Sequence, residues 1–191
     1  MEWWTYGLSD FLMFSPRVYA GLVATYNAAA WPAQVAALVA GAALLGLAAR
    51  TRLPLALLAL AWVATGWAFH WSRYADIFLA APWLAAACGL QALLCLAALL
   101  LPRGEPPAPA RRSGLLVMAA GLLAVPLATG LAAHDWRQAQ VFGLMPDPTA
   151  LVTLGWLLAN RTLPAWARIA LAVWPAVSLL IGVATWVALA Q

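Results

Sequence analysis

From Trp31 onward the chain is dominated by long apolar runs rich in Ala and Leu, interrupted only by single polar residues, prolines and arginines. The runs lack the period-two alternation of half-buried strands, and several reach the roughly 20 residues that a helix needs to cross a hydrocarbon layer of about 30 Å. Backbone groups in lipid must be satisfied within the chain, and continuous runs of this kind do so as helices, not as barrel strands. The pattern predicts spans over 31–49, 53–71, 79–101, 114–133, 148–163 and 167–190. The expected fold is an all-α polytopic membrane protein with six transmembrane helices.

Before the first span, Ser15 and Pro16 read as an N-cap and first helical residue, and Val18, Tyr19, Leu22, Val23 and Tyr26 follow as one apolar stripe at helical spacing. Residues 1–30 are therefore expected to form an amphipathic interfacial segment on the outer face, with a shorter helix at Asp10–Phe14. The competing reading is an N-terminal extension of the first span. Residues 31–191 make the bundle, and the Pro-rich stretch within 102–113 connects its two halves on the cytoplasmic side. The fifth span is short. Asp147 and Pro148 read as its N-cap and first residue, and Pro164 closes it, which leaves about 24 Å of helix. Either the preceding segment Val141–Asp147 dips inward and lines an outward-facing cavity, or the bilayer thins locally.

Composition strengthens the membrane reading: 66% of the 191 residues are hydrophobic and 8% are charged, against about 25% charged in an ordinary soluble domain. The basic residues are all arginines at the ends of apolar runs, which is a topology signal and not a nucleic-acid footprint. Arg50, Arg52, Arg103, Arg111, Arg112, Arg161 and Arg168 fall on one side with Glu105. Arg17, Arg73 and Arg137 fall on the other with Glu2, Asp10, Asp76, Asp135 and Asp147. The positive-inside bias then puts both termini outside the cytoplasm, in a prokaryotic inner membrane. The segment MEWWTYGLSDF lacks the basic start of a signal peptide, so the first span is expected to act as the insertion signal. Cys88 and Cys95 lie about 10 Å apart along one helix, too far for a disulfide.

The two histidines, His70 and His134, fall at the outer ends of the second and fourth spans. Trp71, Arg73, Tyr74 and Asp76 accompany the first, and Asp135, Trp136, Arg137 and Gln138 the second. If those helices are neighbours, both imidazoles meet in an outward-facing polar pocket and can ligate a transition metal or haem, or contact a substrate or proton. If they are not, each histidine is an interface residue. Trp3, Trp4, Trp31, Trp71, Trp83 and Trp136 suit either an outer aromatic belt or a cage for a cation. Trp62, Trp67, Trp156, Trp174 and Trp186 are placed deeper, where each indole N–H needs a carbonyl or a cavity. Asn27 and Gln34 can bond another helix or join Asp147 and Thr149 in lining the pocket.

The pieces FLMFSPRVYAGLVATYNAAAWPAQ (11–34), FHWSRYADI (69–77) and VFGLMPDPTALVTLGWLL (141–158), with the closing helix after LPAWAR (163–168), resemble an uncharacterised family of small six-span prokaryotic membrane proteins. The resemblance implies that Tyr26, Asn27, Trp31, Gln34, His70, His134, Asp147, Pro148 and Thr149 are the matching positions. It also implies a turn that often reads Pro-Cys-Pro-Thr, which here is Pro146-Asp147-Pro148-Thr149, without the thiol. No activity comes with it. The sequence therefore supports a binding or transport protein with an outer pocket for a small molecule, ion or metal. The alternatives are a membrane enzyme or haem or metal redox protein using His70 and His134, and an accessory subunit packed on a membrane protein partner.

Overall fold

The computed structural model describes residues 13–48, 52–102, 104 and 112–190, which are helical with no strand among them. Ser15 caps α1 (Pro16–Ala29) by accepting from the Val18 N–H. The chain then bends by 85° into α2 (Ala33–Gly46), so α1 and α2 are two helices and not one continuous one. Of its predicted stripe, Val23 and Tyr26 are buried and Val18 is exposed. α3 (Leu53–Ala64) runs directly into a π-helical stretch, Thr65–Trp71. A short 3-10 turn at Tyr74–Asp76 leads to α4 (Ala81–Ala98). α5 (Arg112–Ala119) and α6 (Val125–Ala133) are joined by a π turn at Ala120–Ala124, which accommodates Pro126, a residue with no N–H to give to the preceding turn. α7 (Pro146–Ala159) and α8 (Ala165–Leu189) complete the fold. The expected helix at Asp10–Phe14 falls mostly, and Arg50 and the connector residues 103 and 105–111 fall wholly, outside the described residues.

Four stretches, Leu53–Asp76, Ala81–Ala98, Arg112–Ala133 and Ala165–Leu189, are long and apolar enough to cross a membrane, and the bent pair α1–α2 is a fifth when its two helices are counted together. α7 is the exception, with 14 residues and about 21 Å of length. It stops earlier than the sequence predicts because Asn160 turns to extended backbone, accepts from Thr162 N–H and donates to Ala48 C=O at 3.1 Å. Nine of those 14 residues are buried, which makes α7 the axis of the bundle, packed along α5 and α8 and touching α3.

Large apolar side chains cover the surface as well as the core, and several polar side chains are buried. Leu60, Leu90, Leu93, Leu123, Ile169 and Leu180 are exposed, while Thr65, Gln91, Thr149, Thr153, Asn160 and Ser178 are buried. The buried polar groups pin helix to helix: Trp62 donates to Thr153 at 3.1 Å, and Gln91 donates to the Leu171 carbonyl at 2.9 Å. Cys88 and Cys95 are free thiols fully buried in this core.

α5 meets α7 backbone to backbone. A β-carbon at Gly114 would overlap the backbone of Ala159, and one at Gly155 would stand 2.6 Å from Met118 N, so small residues set this spacing. Gly114→Ala is therefore expected to cost on the order of 1–3 kcal/mol by forcing the helices apart. Gly89→Ala, in open space on α4, should be neutral or slightly stabilising. Thermal unfolding of the purified protein in detergent checks the contrast.

Candidate functional site

The segment that enters α7 is buried although it is not helical: Val141, Phe142, Gly143, Leu144 and Met145 are all inaccessible. Its backbone must find partners inside the protein. Thr149 supplies the central ones. Its hydroxyl accepts from the Gly143 N–H at 2.8 Å and donates to the Met145 carbonyl at 2.7 Å, which holds Gly143 in a left-handed turn with φ of 75°. From α1, the Tyr26 hydroxyl donates to the Leu144 carbonyl, and the Asn27 amide donates to the carbonyls of Arg137 and Ala139. Gln34 closes the α1–α2 corner by donating to the Asn27 carbonyl at 3.0 Å. Tyr26 and Thr149 are thus a clamp on this segment, Asn27 and Gln34 brace the α1 corner and the loop before it, and none of the four lines the pocket beside it.

That clamp leaves Asp147 free. α7 begins at Pro146 with Met145 at the N-cap position, so Asp147 sits in the first turn and does not cap the helix as the sequence suggests. Its carboxylate lies against Gly182 of α8, where a β-carbon would overlap it. Together they border a chamber of about 30 Å³, room for one or two water-sized groups. Phe69 and His70 enter it from the π-helical stretch, Tyr74 from the 3-10 turn and Tyr19 from α1. α8 contributes the opposite wall with Trp174, Ser178, Gly182, Thr185 and Trp186. The His70 ring stands 5.8 Å from Tyr74, and Tyr74 is 6.1 Å from Tyr19.

Three polar atoms around this chamber are buried without a hydrogen-bond partner: Asp147 Oδ1, His70 Nδ1 and Trp174 Nε1. Native interiors leave few such groups, and several around one void mark a place for a missing polar molecule. Trp186 approaches the carboxylate from α8, and the Cys88 thiol lies beside the Trp174 indole. No cation pairs with Asp147 among the described residues, where the one ion pair is Arg137 with Asp135 at 3.2 Å.

The structure does not bring the two histidines together. His134 is exposed and terminates α6 in the left-handed conformation, φ 52°, with its N–H on the Leu131 carbonyl. Among the described residues, no group of three His, Cys, Asp or Glu side chains is placed to hold a metal ion. The chamber, sized for water, has no space for a haem. Trp31, Trp71, Arg73, Asp76 and Trp136 are exposed and outside it. Trp71 stacks on Trp67, which is itself exposed, at 6.3 Å, while Trp136 packs on Gly130. Asp135 accepts from the Arg137 backbone and side chain, which holds its carboxyl below the usual carboxylate range.

Of the predicted site residues, His70 and Asp147 meet in the chamber. The wall on α8 escaped the sequence reading apart from the two indoles expected to need a carbonyl or a cavity. Its signal is a face of small and polar residues, Ser178, Gly182 and Thr185, at spacings of four and three between Trp174 and Trp186 on an otherwise apolar helix.

Fold and site define a protein of apolar helices with a small, aromatic-walled chamber at the Asp147 side chain. Residues 17–187 match the family of unknown function DUF6064, and the chain belongs to that family. No curated protein and no solved structure matches it.

Thr149→Val keeps the shape of the side chain and removes the acceptor for a buried N–H, an expected cost of about 1–3 kcal/mol. Thr149→Ser should retain most of the stability. Chemical or thermal denaturation of the two variants distinguishes a clamp from simple packing.

Proposed function

We propose that the protein is a six-span integral membrane protein that binds or transports a small monovalent cation of the ammonium type, taken up from the extracytoplasmic side. The observation that carries this reading is the buried, unpaired carboxylate oxygen of Asp147, a residue that lines a water-sized chamber together with His70, whose Nδ1 is also buried and unpaired. An ionisable group inside an apolar helical bundle is costly and marks an ion or substrate position. An ammonium ion donates to both Asp147 and His70, and the faces of Tyr19, Tyr74 and Trp186 favour a cation over neutral or anionic molecules.

Support for the membrane setting comes from the exposed leucines of α3, α4, α6 and α8 and from four or five helical stretches of spanning length. A solvent-exposed apolar surface of this extent is foreign to a soluble monomer. The sixth crossing in this reading is α7, short but shielded by its neighbours. The chamber gathers the start of α4, the start of α7 and the end of α8, which the arginine distribution assigns to the outside. Asn160 and Thr162, by contrast, bond Ala48 and Gly104 at the other end of the bundle.

Ammonium and methylammonium are expected to raise the unfolding temperature of the detergent-purified protein, whereas tetramethylammonium, too large for the chamber, should not. Asp147→Asn should weaken the effect about 10–100-fold, the loss of one charge-assisted hydrogen bond and its ion attraction. Gly182→Ala should weaken it by displacing the carboxylate. Stabilisation of equal size in Asp147→Asn, or none from any of these ions, would overturn the reading.

A further inference from the structure

A second cavity adjoins the chamber on its outer side. It has about 240 Å³ of free volume and lies between the start of α1, the end of α6 and the end of α8. Ala20, Val23, Ala133 and Leu189 give it apolar walls, and Thr129 and Gln138 supply a few polar atoms. Tyr19 and Trp186 line both cavities, so the two share walls. Gly182, against the Asp147 carboxylate, and Leu189 in the outer cavity are seven residues apart on α8, about 10 Å along the axis. One end of this path is thus a buried anion in a space for a single small head group, and the other is an apolar space eight times larger.

We propose that the natural ligand is a primary alkylammonium compound whose –NH3⁺ head occupies the Asp147 chamber and whose apolar tail passes between Tyr19 and Trp186 into the outer cavity. The inference rests on the ammonium reading above and adds the tail. Charge complementarity fixes the head: the carboxylate needs a cation, and three N–H donors serve Asp147 and His70 with one to spare. Volume fixes its degree of substitution, because the chamber admits a primary ammonium and excludes a trimethylated one. The uncharged outer cavity fixes the tail as apolar. A free inorganic ammonium ion would leave that cavity without a role.

Titration calorimetry of the purified protein with methyl-, propyl- and hexylammonium tests this. Affinity should rise by up to about fourfold per added methylene as the tail is buried, and level off when the outer cavity is full. Ala20→Leu and Ala133→Leu, which fill the outer cavity from different helices, should each leave methylammonium affinity unchanged and abolish most of the gain for hexylammonium. Two such variants guard against the misfolding of either. Asp147→Asn should weaken binding of the whole series about 10–100-fold.

Asp147-dependent binding that does not strengthen with chain length, or a gain that survives both leucine variants, would overturn the tail assignment and leave the ammonium site standing. Chain-length-dependent binding of undiminished strength in Asp147→Asn would be partition into the micelle, and would overturn it too. Absence of binding by every amine would overturn the ammonium reading itself.

Discussion

The fold depends on a buried segment of non-helical backbone at the mouth of α7. In an apolar bundle an unpaired amide costs several kcal/mol, so this segment persists because Thr149 bonds Gly143 and Met145 and Tyr26 bonds Leu144. The same arrangement places Pro146 at the first position of α7 and moves Asp147 out of the capping role. A carboxylate that would otherwise be consumed by its own helix terminus is instead turned toward α8. The close approach of Gly182, which has no side chain to displace it, completes that placement.

The chamber is a consequence of two departures from regular helix geometry. The π-helical stretch Thr65–Trp71 brings Phe69 and His70 to the interior while Trp67 and Trp71 stack outside. π-helical turns are frequent at functional positions because they reorient side chains at the expense of regular hydrogen bonding. The second departure is the buried entry to α7. Between them stands Tyr74, stacked on Phe69 at 5.4 Å and tilted against His70, so the chamber walls are fixed by aromatic packing more than by hydrogen bonds.

The helices were legible in the chain because apolar runs of spanning length permit little else, and the Ser15 cap, the short fifth helix and the buried 141–145 segment follow from local rules about proline and capping. The 85° bend between α1 and α2 falls at the Trp31-Pro32 pair, at the predicted boundary between residues 1–30 and the first span. The site was legible only in part. His70 and Asp147 stand out as rare polar residues, but nothing in the sequence says which helices are neighbours. His134 attracted the same interest and is a helix terminator. Asn27, Gln34 and Thr149 looked equally apt for a ligand and are used on backbone groups, because a buried turn claims the nearest donors and acceptors first. The α8 wall was inconspicuous because glycine, serine and threonine are ordinary packing residues in such helices.

The most direct measurement is infrared difference spectroscopy of the purified protein on addition of methylammonium, with Asp147→Asn used to assign bands. With six acidic residues in the chain, the carboxyl region is simple enough to read. The account predicts a ligand-induced shift in a carboxyl band that is absent from Asp147→Asn. A difference spectrum without an Asp147 band, under conditions where the amine binds, would contradict it.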